Sequence, residues 1–267
     1  MNPTATAADR ISHLNKGLGA LESDIAPPDV AVLGWNLLRE DLSLPAAVLY
    51  RERLINNQQW MRQFIQAYGV QLAPHGKTTM APQLFHMQME SDAWGITLAT
   101  AHQVLVAYEH GIHRVLMANQ LIGRQNMALI SRLLRDAAFE FYCLVDCAAQ
   151  VDQLAASFSA QGQQLKVLIE LGVEGGRAGV RNDEQLQSVL AAIERAGQAI
   201  ALCGIEVYEG VLDNELAIRQ FLERACHVTR TLLAAGKFPP LARHLHRGRF
   251  RVVRCRGRGV HRGKLRS

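Results

Sequence analysis

The sequence has no apolar run near the length of about 18 residues that a membrane-spanning helix needs. Its opening stretch, MNPTATAADRISHLNKG, lacks the apolar centre of a secretory signal. Cysteine is sparse and odd in number, with Cys143, Cys147, Cys203, Cys226 and Cys255 scattered along the chain. The Cys143–Cys147 spacing has no second pair to complete a zinc site. Cys143 and Cys203 lie in apolar runs and are read as buried free thiols, which fits a reducing, cytoplasmic setting. Acid is missing from one region altogether. Residues 243–267 carry nine arginines and Lys264 with no Asp or Glu, so the formal net charge of +5 belongs to that stretch. Residues 1–242 hold 19 basic and 24 acidic side chains, a net of −5. So sharp a break marks a boundary.

A nucleotide loop is also missing. APHGKTTMAP (73–82) ends like a phosphate-binding loop, but Gln71 stands where its first glycine is required. Pro74 would also remove one of the backbone donors such a loop depends on. No G-x-G-x-x-G follows the first apolar run either, and LYRERLINN stands there instead.

What is present is a regular alternation. Apolar runs at 45–50, 70–75, 93–99, 114–119, 140–146, 165–172 and 199–208 read as strands, several of them apolar almost throughout, as strands buried on both faces are. Helical patterns lie between them: Leu54, Met61, Phe64, Ile65 and Tyr68 share one face, as do Leu186, Val189, Leu190 and Ile193. Seven strand–helix repeats predict a parallel sheet with outer helices, either an open doubly wound sheet or a (β/α)8 TIM-type barrel. The repeat number and the missing dinucleotide fingerprint favour the barrel. An eighth strand is expected after Pro239 and Pro240 but is not visible in the sequence.

In such a barrel, chemistry sits at the C-terminal ends of the strands. The residues placed there are His75, Lys77 and Thr78, then Thr97 and Thr100, then Asn119, Asp146, Glu170 with the run GVEGGRAG, and Glu206, Tyr208 and Glu209. A lysine amid this set is either a snorkelling side chain or an amine made nucleophilic by burial or neighbouring cations. Arg177 is equally readable as a surface residue in a glycine-rich turn, and Tyr208 as an aromatic cap on the rim. His75 lies two before Lys77, so in an extended segment both side chains point the same way.

APHGKTTMAP, followed by WGITLATAHQV (94–104), LIELGVEGGRAGV (168–180) and GIEVYEG (204–210), resembles the fold-type III pyridoxal-phosphate enzymes. These have an N-terminal barrel of the alanine racemase type. The similarity is greatest to the D-serine dehydratase and D-threonine aldolase branch, whose lysine motif reads P-H-x-K-T, and within it to D-serine deaminase-like amino acid deaminases. The resemblance implies that Lys77 carries pyridoxal 5'-phosphate covalently and then removes the substrate α-proton. It implies that Arg177 contacts the cofactor ring oxygen or the substrate side, that Tyr208 flanks the cofactor, and that His75 lines the pocket. The implied activity is deamination of a D-amino acid such as D-serine or D-threonine. The alternatives on the same scaffold are a racemase, a D-threonine aldolase, or a non-catalytic cofactor-binding protein. The cofactor would act as the electron sink while the protein supplies orientation and a base. In this branch a divalent metal, zinc, is held by a C-terminal β domain, and homodimers are common. No metal ligands with the family's spacing are found here, so no metal residue is assigned.

The resemblance implies a domain plan of an extension at 1–30, a cofactor-binding barrel at 31–242 lacking its eighth strand and the β domain, and an arginine-rich stretch at 243–267. That stretch is expected to be a reading-frame artefact or disordered. Nucleic-acid binding is disfavoured because Phe250 is its only aromatic. The expected partner is a small D-amino acid substrate, with no membrane association.

Overall fold

The computed structural model describes residues 10–18 and 21–238. The chain divides between Asn57 and Gln58 into two units. The first holds an antiparallel bridge between Ile11 and Ile25 and 3-10 helices at Pro27–Leu33 and Leu37–Arg39. Asn36 caps the second of these by accepting from the Leu38 amide, and Arg39 pairs with Asp41 at 2.9 Å. The expected strand at 45–50 is not there. The run has no ladder partner among the described residues, and Val48, Leu49 and Tyr50 are exposed. Apolar, β-prone residues make a strand only when a neighbour takes up their backbone groups.

Helix α1 (Arg51–Tyr68) crosses from the first unit into the second. The second unit then alternates strand and helix: α2 (Pro82–Glu90), β1 (Ile96–Leu98), α3 (Ala101–Glu109), β2 (Arg114–Gln120), α4 (Arg124–Leu133), β3 (Glu140–Val145), α5 (Ala148–Ser159), β4 (Leu165–Leu171), α6 (Asp183–Ala196), β5 (Ile200–Val207) and α7 (Glu215–Ala234). All four strand pairings are parallel and the order is β1-β2-β3-β4-β5. Sequential order with no reversal has no switch point, which separates this sheet from the doubly wound alternative. It is the order of a barrel wall.

The strand faces divide as a barrel wall requires. Val115, Met117, Phe141, Cys143, Val145, Val167 and Ile169 point outward into the main core under the helices. Leu116, Tyr142, Leu144 and Leu168 point the other way and pack with Trp94, Ala118 and Cys203. Burial on both faces explains why these runs are apolar throughout. Cations cover the inner cluster at the N-terminal end of the sheet. Lys166 lies 5.1 Å from the Tyr142 ring centre, and Arg114 lies 5.4 Å from that of Trp94 while pairing with Glu140 at 2.7 Å. Burial pushes the Cys203 thiol up to about 11, with Lys166 opposing the rise. Around the outside, α3 packs on α4, α4 on α5 and α5 on α6.

Among the described residues, five strands form where seven were expected. The 70–75 run is reduced to one parallel bridge, His75 to Thr97. Its backbone still follows β1: the Trp94 amide donates to Leu72 O, the Thr97 amide to Pro74 O and the Gly76 amide to Thr97 O, at 2.7, 2.8 and 2.8 Å. Pro74 has no amide to donate, which limits the ladder. The expected eighth strand and the 243–267 stretch lie outside the described residues.

Candidate active site

Lys77 follows directly from that shortened ladder. Thr97 Oγ1 donates to Ala73 O at 2.7 Å, fixing the approach, and the Met80 amide returns to Gly76 O at 2.9 Å, closing a turn around Lys77. From the first turn of α3, Gln103 Nε2 reaches Lys77 O at 3.4 Å while its Oε1 accepts from the Ala99 amide at 2.9 Å. Glycine is required before the lysine because a Cβ at Gly76 would stand 2.4 Å from the Phe85 ring. His75 and Lys77 are both half-buried.

The neighbouring strand ends form a polar rim. Gln120, ending β2, donates through Nε2 to Glu170 Oε2 at 2.6 Å and to Asp146 Oδ2 at 3.1 Å. Glu170, on β4, is 6 % exposed. Burial pushes its carboxyl above the usual range. The nearby charge of Asp146 adds to the rise, while the Gln120 hydrogen bond, Arg177 and Arg181 oppose it.

Beyond β4 the chain makes a closed loop. The Gly172 amide donates to Val180 O at 2.9 Å and the Val180 amide to Glu170 O at 2.8 Å, so residues 172 to 179 leave and return through one neck. Only glycines fit there: a Cβ on Gly172 would lie 2.1 Å from Ala178 O, and one on Gly179 would lie 2.5 Å from Gly172 N. Arg224 on α7 donates to Gly172 O and Val180 O at 3.2 and 3.4 Å. Arg181 donates to Gly179 O and Gly176 O at 3.1 and 2.9 Å. Asp146 accepts from the Gly179 amide at 3.0 Å.

Arg177 rises from this loop, and with Tyr208, Glu170, Val173 and Val211 it lines one cleft. Tyr208 follows β5, and its ring lies over Gly210, where a Cβ would approach it to 2.7 Å. The structure therefore brings Arg177 and Tyr208 together. His75 and Lys77 lie on the segment beside β1, outside the lining of that cleft. Asp146 and Glu170 were legible as strand ends, whereas Gln120, Arg181 and Arg224 were not singled out. Gln120 and Arg224 bond to carboxylates and backbone carbonyls on other elements and Arg181 to carbonyls of its own irregular loop, for which the sequence carries no periodic signal. Among the described residues, no group of three or more His, Cys, Asp or Glu is placed to hold a metal ion. Among them, too, no helix is long and apolar enough to cross a membrane.

The alanine racemase N-terminal domain model matches residues 50–247. D-threonine aldolase from Arthrobacter sp. is 30% identical over 190 residues, covering 71% of this chain and 49% of that protein. D-threo-3-hydroxyaspartate dehydratase from Delftia sp. (strain HT23) is 29% identical over 204 residues, covering 73% of this chain and 53% of the relative. A solved structure of that dehydratase superposes with a TM-score of 0.65 over 75% of this chain and 54% of its own, at 28% identity. Alanine racemase from Bacillus anthracis, at 17% identity, shares the fold with a TM-score of 0.54 over 73% of this chain and 51% of its own. The chain thus spans about half the length of the curated relatives it matches. With the sequential parallel sheet and its rim, these similarities make the chain a member of the alanine racemase N-terminal domain family, on an α/β barrel of that type.

Proposed function

We propose that this chain is the barrel part of a pyridoxal-phosphate-dependent lyase that deaminates a small D-amino acid bearing a β-hydroxyl group, such as D-serine or D-threonine. What supports this reading is that a half-buried lysine turn follows the segment beside β1, while a guanidinium and a phenol that share one cleft follow β4 and β5, all at the C-terminal ends of one parallel sheet. The D-threonine aldolase and the D-threo-3-hydroxyaspartate dehydratase named above act on D-amino acids that carry a β-hydroxyl, which supports the substrate class.

The donor set fits an anionic aromatic cofactor. Arg177 offers a fixed positive charge with planar donors, suited to a ring oxyanion or a substrate carboxylate. Tyr208 offers a flat face beside it with a hydroxyl at its edge. Lys77, tied through its own carbonyl and the Met80–Gly76 bond, supplies the amine that would hold the cofactor and, once released, take the proton from the substrate α-carbon. His75 is assigned to the pocket beside it. The bound cofactor would supply an electron sink for the carbanion. In the proposed plan the barrel occupies 31–242 of a longer homodimeric architecture, in a reducing compartment consistent with the free thiol of Cys143. A divalent metal such as zinc belongs to the full-length relatives in this plan, with its ligands in their C-terminal β domain and no metal residue assigned here.

Aldol cleavage is the second reading, supported by the D-threonine aldolase match. The two separate by product, because deamination releases ammonia and a 2-oxo acid, whereas aldol cleavage of D-threonine releases glycine and an aldehyde. The first test is the visible absorbance of the chain with added pyridoxal phosphate, with borohydride trapping, compared with Lys77→Ala. A band fixed by borohydride at Lys77 and absent from the variant is expected. No Lys77-dependent band in a folded sample would refute the reading.

A further inference from the structure

We propose that Asp146 is the positioning residue for Arg177, acting through the backbone amide of Gly179. The inference rests on the cofactor-binding reading of the cleft and deepens it by naming what fixes the cation there. Arg177 is an exposed side chain on a segment that contains Gly175, Gly176 and Gly179. Glycine-rich backbone is permissive, so a cation on it is pre-organised only if other groups hold the chain.

Three charged side chains hold this loop, and they do different work. Arg224 grips the neck, at Gly172 O and Val180 O. Arg181 grips Gly176 O and Gly179 O, which flank Arg177, but it leaves from the same loop and so ties the loop to itself. Asp146 leaves from the end of β3, and its Oδ2 accepts from the Gly179 amide at 3.0 Å. The same oxygen accepts from Gln120 Nε2 at 3.1 Å, and Gln120 in turn binds Glu170 at 2.6 Å. A chain of bonds thus runs from β2 and β4 through Asp146 to the backbone two residues past Arg177. Asp146 does not line the Arg177 cleft. It lines a separate hollow with Cys147, Ala148, Arg181, Gln185 and Ser188 and meets the cleft by two routes, the Gly179 amide beside Arg177 and the Gln120 bond to Glu170; the positioning role concerns the first.

The test is a double-mutant cycle on pyridoxal phosphate affinity, read by absorbance titration, with hydrogen exchange of the 172–180 segment as a second readout. Losing a hydrogen bond to a charged acceptor corresponds to about a ten-fold loss of affinity, so Asp146→Ala should raise the Kd about that much. Asp146→Asn, which keeps an acceptor oxygen for Gly179, should restore most of it. Because Asp146 acts through Arg177, Asp146→Ala combined with Arg177→Ala should bind no more weakly than Arg177→Ala alone. Exchange across 172–180 should quicken in Asp146→Ala and not in Arg177→Ala. Additive losses, or unchanged exchange in Asp146→Ala, would overturn the positioning role while leaving the cofactor reading intact. A wild-type chain with no Lys77-dependent band would instead overturn the cofactor reading, and the positioning role with it.

Discussion

Gly172→Ala tests the closed loop directly. The added Cβ would lie 2.1 Å from Ala178 O and 3.0 Å from Gly179 O, and both obstacles are backbone. No rotamer change can relieve such a contact, so the neck has to open by about 1.5 Å to reach ordinary van der Waals distance. Opening it breaks the Gly172–Val180 and Val180–Glu170 backbone bonds of 2.9 and 2.8 Å. Each leaves a buried polar group unsatisfied at about 1–3 kcal/mol, and partial access of water brings the sum to about 3 kcal/mol. Gly175 in the same loop is the control. Its φ is +69° with nothing within 4 Å of a Cβ, so Gly175→Ala meets only the left-handed backbone cost of about 1 kcal/mol. In urea unfolding with a slope of roughly 3 kcal/mol per molar, Gly172→Ala should lower the midpoint by about 1 M and Gly175→Ala by about a third of that. Equal midpoints for the two variants would refute the pinched neck.

Glu170→Gln should change how stability depends on pH. The folded carboxyl titrates above its ordinary value of 4.5, so between the two values the folded state holds the extra proton and stability falls as pH rises through that window. The glutamine variant should lack that fall and match or exceed the wild type at neutral pH, measured by denaturant midpoints across pH; an unchanged pH slope would count against a buried carboxyl there. Gly76→Ala should destabilise the chain because its Cβ meets the Phe85 ring end at 2.4 Å, and the loss should shrink in a Phe85→Leu background, where that ring is gone. Thermal melts of the four members of that cycle would expose the coupling, and purely additive shifts would argue against the contact.

Legibility from the sequence followed burial. The runs at 114–119, 140–146, 165–172 and 199–208 appear as β2 to β5 within two residues at each end, because each is apolar on both faces and pairs with neighbours of the same kind. PAAVLY at 45–50 is as apolar but forms no strand, since composition says nothing about whether a pairing edge is within reach. The run at 70–75 reads as a strand from its apolar residues but keeps one bridge, because Pro74 has no amide to donate to the ladder. Arg177 and Tyr208 could be placed on the rim from strand ends alone. Gln120 could not be given its role, because its partners Asp146 and Glu170 lie 26 and 50 residues away and are joined only by the register of three strands.

The neck at Gly172 and Val180 also bears on how this protein can vary over generations. A loop whose two ends are bonded to each other transmits little of its own rearrangement to the strand before it or the helix after it. Apart from Gly176, whose Cβ would stand 2.9 Å from Val173 O, residues 173–178 form an exchangeable tip on a fixed mount: substitution or insertion there alters the surface of the loop while β4 and α6 keep their places. Variation in the surface of this loop can then accumulate at a handful of positions without being filtered through the stability of the whole.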